Sequence, residues 1–93
     1  MLNYETIPNQ AMVGGIKLYI ERGIMPGGFL TALLSNDLMG AFGAADQTNI
    51  NCMYKWATWL YNEMPSRGSG MWGSLKDMQN YCRLVNEKLE ANK

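Results

Sequence analysis

A chain of 93 residues is expected to form one domain spanning 1–93, and it buries only about 60–65% of the surface its unfolded form exposes. Yet 47% of it is hydrophobic, with 8 Met, 3 Trp and 5 Tyr, which is more apolar surface than so short a chain can hide and points to self-association. Its 8 basic and 8 acidic residues cancel, which argues against DNA or RNA duplex binding and leaves only a few focused cations for a small anion.

Residues 1–8, "MLNYETIP", read as an extended arm ending at Pro8, after which Asn9 is placed to cap a helix. Met12, Val13, Ile16, Tyr19, Ile20 and Ile24 then recur at helical steps of three and four. Gly14-Gly15 weakens this helix and marks close approach of another backbone or a ligand; Gly23 ends it. Met25-Pro26-Gly27-Gly28 is a turn. A second helix is expected over 28–44, with the stripe Leu30, Leu33, Leu34, Leu38, Ala41 and Phe42. On this reading Asp37 falls beside the stripe and faces the core or an interface. Asp46 is the expected N-cap of a third helix, to about residue 64. Ile50, Met53, Tyr54, Ala57, Leu60, Tyr61 and Met64 form its apolar face, widened by Trp56 and Trp59, and Pro65 stops it. Residues 66–73, "SRGSGMWG", form a glycine-rich loop with one cation and one tryptophan. Ser74 starts a fourth helix with Asp77 in its first turn, and Leu75, Met78, Cys82, Val85 and Leu89 form a narrow seam. Nothing alternates as a strand, so the fold class is all-α: a small bundle of about four helices, assembling as a homo-oligomer.

The inventory for catalysis is poor. Histidine is absent, and the sequence has no P-loop, no G-x-S-x-G and no metal-spaced cluster, so a non-enzymatic protein with no cofactor or metal is expected. Cys52 and Cys82 each sit in an apolar helical pattern and read as reduced, buried thiols. No secretory segment opens the chain and no apolar run nears the ~18 residues of a membrane span, which points to a cytoplasmic protein with no membrane partner.

The inventory for binding a small anion is better. Gly27 and Gly28 leave backbone N–H groups unobstructed where a helix begins, the end that attracts phosphate, and Thr31 adds a hydroxyl one turn in. Tyr4, Tyr19, Phe29 and Trp72 are candidates to stack on bases, and Lys17, Arg22 and Arg67 to neutralise phosphates. Most have a plainer use: Tyr19 and Phe29 suit the core, Trp72 an anchor for its loop, Lys17 and Arg22 a solvated face. Arg67, in the glycine-rich loop, has no obvious structural task.

The stretch "MPGGFLTALLSNDLMGAFGAAD", followed by "WLYNEMP" and "WGS", resembles a widespread group of short phage proteins. Members share a P-G-G/S-F-L-x-A-V/L-L-x-N-D-L core, a later alanine-aspartate, L-Y-N-E-x-P and W-G-S, in that order, and the likeness covers residues 7–75. The group is identified as the anti-CBASS cyclic-oligonucleotide sponges of bacteriophages, and the chain is most similar to their T4-like form. The resemblance implies a small helical hexamer that binds cyclic dinucleotides and cyclic trinucleotides between protomers without cleaving them, in the cytoplasm of an infected bacterium. It implies that Pro26, Gly27, Gly28 and Thr31 face a phosphate, and that Arg67 supplies the cation before W-G-S. Phe29 follows Gly28 where a cation would serve a phosphate better. Tyr4 and Lys17 are the candidates for the aromatic-plus-lysine dinucleotide site. The competing reading is a small phage protein that grips and inhibits a host protein through its Met- and Trp-rich surface.

Overall fold

The fold is known from a computed structural model, which describes residues 4–64 and 70–91. Among these residues the chain is all-helical. Two short 3-10 turns, Tyr4–Thr6 and Gln10–Met12, lead into α1 (Val13–Arg22). Then follow α2 (Gly28–Leu34), α3 (Leu38–Ala44), α4 (Gln47–Asn51), α5 (Met53–Glu63) and α6 (Leu75–Ala91).

Four of the expected helix ends are present, while Pro65, the expected stop of the third helix, lies outside the described residues. The Asn9 side chain accepts from the Ala11 N–H and opens the turn that runs into α1. Gly23 ends α1 in the left-handed region at φ 65°, its N–H donating to the Tyr19 carbonyl at 3.1 Å. Asp46 accepts from the Asn49 N–H at 2.8 Å, and Ser74 Oγ from the Asp77 N–H at 3.0 Å.

Two of the four expected helices are divided. The helix expected over 28–44 breaks at Ser35-Asn36-Asp37. Asn36 takes φ 65°, its N–H donates to the Leu33 carbonyl, and the Asp37 N–H donates to Ala32 at 2.8 Å. This is a Schellman stop with asparagine in the glycine position. Asp37 then caps α3 by accepting from the Gly40 N–H at 2.9 Å. The expectation that Asp37 faces the core is therefore corrected: it is exposed, and it ends one helix and starts the next. The helix expected from Asp46 breaks at Cys52, φ −122°. The preceding run of Thr48, Asn49 and Asn51 is made of weak helix formers.

The apolar face of α5 is also rotated from the expected one. Trp56, Trp59 and Leu60 are buried, whereas Tyr54 and Tyr61 are 83% and 88% exposed. Trp56 packs edge-on against Phe29 and Trp59, with ring centroids 5.7 and 5.8 Å apart. One buried polar group organises this region. Asn49 Oδ1 accepts from Trp56 Nε1 at 3.1 Å and from Asn9 Nδ2 at 3.0 Å, tying the arm, α4 and α5 together. On the other side of the core Tyr19 is fully buried and donates to the Met71 carbonyl, while Tyr81 donates to the Ile20 carbonyl at 2.6 Å. These bonds fix α1 against α6 and the segment before it. α1 therefore presents Ile16 and Tyr19 inward and Lys17 and Glu21 outward.

Candidate functional site

The arm and the outer face of α1 bring two expected residues together. The Lys17 ammonium lies over the Tyr4 ring, 5.4 Å from its centroid. These residues come from separate elements, and the arm is held in place by Ile7, which is buried, and by the Asn9–Asn49 bond. Gln10 adds a bond from its Nε2 to the Ile7 carbonyl at 2.9 Å. The pair is thus displayed on a tethered segment.

A third residue joins them that sequence reasoning missed. The Tyr4 hydroxyl donates to Glu21 Oε2 at 3.0 Å. Lys17 and Glu21 stand at i and i+4 on α1, with lysine first, the less favourable order for an ion pair. No such pair forms; among the described residues the ion pair is Arg83–Glu87, on α6. Burial first, then the hydrogen bond to Glu21 and its charge, push the Tyr4 hydroxyl up to about 12, so it stays a donor at neutral pH. The result is a half-buried aromatic ring, packed against the core, with a cation over it and a carboxylate at its hydroxyl.

The glycine turn is placed elsewhere. Gly27 is the N-cap of α2 without a side-chain cap bond, and the first intrahelical bond runs from the Thr31 N–H to Gly27 O at 2.9 Å. The N–H groups of Gly28, Phe29 and Leu30 precede that bond. A side chain at Gly27 would meet nothing within 4 Å, and one at Gly28 only Ala44 Cβ at 3.9 Å. The fold itself therefore does not require glycine at either position. Thr31 has a local partner: its Oγ1 donates to the Pro26 carbonyl at 2.9 Å, so it bridges the turn and offers only lone pairs outward. Phe29 is buried against Trp56, as are Tyr19 and Trp72 elsewhere in the core, so none of the three is displayed for stacking. Arg67 lies outside the described residues. Gly15 approaches α2, where an added Cβ would sit 3.1 Å from Leu30 Cδ1, whereas one at Gly14 would meet nothing within 4 Å; of the expected pair only Gly15 marks packing on a neighbouring helix.

The chain was compared with known proteins, and no family model, no curated protein and no solved structure matches it.

Two apolar grooves flank Tyr54. One, of about 280 Å³, runs between the arm at Thr6 and Pro8 and the α5 residues Lys55, Trp59 and Asn62. The other, of about 300 Å³, lies between α3 and α5 and is lined by Leu38, Phe42, Met53 and Leu60. Around the second groove Leu38, Met39 and Phe42 are 64%, 79% and 45% exposed. Cys52 and Cys82 are free thiols, the latter buried. Among the described residues no helix is long and apolar enough to cross a membrane.

Proposed function

We propose that this chain is a phage anti-defence protein. It binds and sequesters cyclic dinucleotide and cyclic trinucleotide immune messengers, such as cyclic GMP-AMP, in the cytoplasm of an infected bacterium. The messenger is held intact and its CBASS effector is never activated. The observation that carries this reading is the Lys17 ammonium over the Tyr4 ring, supplied by two elements and held by the tethered arm. It pairs the two residues that are the candidates for the aromatic-plus-lysine dinucleotide site.

The chemistry is binding alone. Tyr4 stacks a base, Lys17 neutralises a phosphodiester oxygen, and no histidine exists in the sequence to take the proton of an attacking water. The open turn at Pro26, Gly27 and Gly28 would serve the second ligand class, for which the resemblance implies a cation at Arg67. The protein acts as a homo-oligomer, a hexamer by resemblance, with sites between copies. The exposed Leu38, Met39 and Phe42 favour burial of that face by another copy. The same face favours the one competing reading, a host protein as the partner in the groove between α3 and α5.

Light scattering and calorimetry on one preparation test the proposal. A mass several times 10.5 kDa and tight, saturable binding of cyclic GMP-AMP are expected. A clean monomer at micromolar concentration that binds no cyclic oligonucleotide would overturn it, and capture of one host protein at stoichiometric yield would favour the competing reading.

A further inference from the structure

Glu21 is the one member of the surface cluster without a part in the account so far. Its position is unusual for a site that takes anions. The carboxylate reaches the Tyr4 hydroxyl at 3.0 Å, and Lys17 occupies the ring face of the same side chain. A site built only to attract phosphate would place a second cation, or a neutral acceptor, at this rim. Glutamine would orient the Tyr4 ring equally well, because its amide oxygen accepts the same hydrogen bond. The negative charge therefore does something that the hydrogen bond does not need.

We propose that Glu21 makes the Tyr4–Lys17 site selective for the phosphodiesters of a cyclic dinucleotide against the terminal phosphates of a linear nucleoside triphosphate. The inference rests on the reading that this pair binds cyclic dinucleotides. One lysine and one glutamate give the cluster no net charge. A ligand held by stacking, with one singly charged phosphodiester at Lys17, accepts such a site. A triphosphate offers the same base to Tyr4 but crowds several charges near the carboxylate. Two unit charges about 8 Å apart repel by roughly 0.5 kcal/mol even at the dielectric of water, and more where the protein surface lowers it. The repulsion multiplies with ligand charge, whereas the stacking term does not. Specificity here comes from a repulsive element aimed at the wrong ligand. Arg22 lies one residue past Glu21 and so points to a different side of α1.

The test is calorimetric titration of wild-type protein and Glu21→Gln with cyclic GMP-AMP and with ATP, at low salt and again at about 0.15 M, where charges more than roughly 8 Å apart are screened. Wild-type protein is expected to bind cyclic GMP-AMP and to reject ATP. Glu21→Gln is expected to strengthen ATP binding at least about fivefold more than cyclic GMP-AMP binding, with the difference shrinking as salt rises. An equal change for both ligands, or no change for either, would overturn the inference and leave Glu21 as a positioning residue for Tyr4, while the sequestration reading stands. Absence of cyclic GMP-AMP binding by the wild-type protein would remove both.

Discussion

Gly23→Ala is expected to lower stability by about 2–4 kcal/mol, a large part of the margin of a small domain. Gly23 ends α1 at φ 65°, where a side chain costs roughly 1–2 kcal/mol by itself. The site is also crowded: an added Cβ would meet the Cys82 carbonyl oxygen at 2.7 Å and Val85 Cβ at 3.0 Å. That carbonyl is backbone of α6 and cannot swing aside, and Asn86 Nδ2 bridges it to the Gly23 carbonyl with bonds of 2.8 and 3.2 Å. Alanine therefore pushes α1 off α6, and with it the bonds that orient the outward face carrying Lys17 and Glu21. Gly27→Ala is the matched control, since its Cβ meets nothing within 4 Å and its φ is −68°. Urea midpoints of the two variants give the comparison. A loss under about 1 kcal/mol for Gly23→Ala would show that the α1–α6 junction is looser than described.

Lys17→Ala should weaken cyclic dinucleotide binding about tenfold to a hundredfold, the scale of a charged contact to phosphate of roughly 1.5–3 kcal/mol. Tyr4→Ala should cost a similar amount, since stacking of a base on an aromatic ring contributes about 1–3 kcal/mol. Lys17 is exposed, so its removal should leave the urea midpoint almost unchanged. The two losses should not add fully, because the ammonium and the ring are in contact. If the cyclic trinucleotide uses the glycine turn instead, its affinity should survive both substitutions. Unchanged dinucleotide affinity in Lys17→Ala would place the ligand elsewhere and reduce the Lys17–Tyr4 contact to surface packing.

Helix ends were more legible in the sequence than helix continuity. Gly23, Asp46 and Ser74 act where their chemistry predicts, because a cap is decided by a few adjacent residues. The break at Ser35–Asp37 is masked by apolar residues that keep helical spacing across it, from Leu34 to Leu38 to Phe42. Its signals are an asparagine able to adopt positive φ and an aspartate three residues before Gly40, and both are also compatible with a continuous helix. On α5, spacing alone does not separate Tyr54 and Tyr61 from Trp56 and Trp59. Tertiary partners settle it: Asn49 takes the Trp56 N–H and Phe29 its ring, which turns the tyrosines outward. In the site, Tyr4 and Lys17 are legible as candidates for one site, whereas Glu21 is not, because its bond to Tyr4 spans 17 residues. Its i,i+4 spacing from Lys17 was the available hint that both share one face. That the Thr31 hydroxyl has a local acceptor is not legible in the sequence, because the Pro26 carbonyl is a backbone atom that spacing does not reveal.

The most direct test of sequestration is the fate of the ligand itself. Purified protein is incubated with cyclic GMP-AMP and with a cyclic trinucleotide, freed of unbound ligand, denatured by heat, and the supernatant is analysed by mass spectrometry. The account predicts that the cyclic molecules are released at their original mass and in stoichiometric amount. Linear product, or a supernatant with no nucleotide, would contradict it: the first would make the protein an enzyme, and the second would make it something other than a sponge.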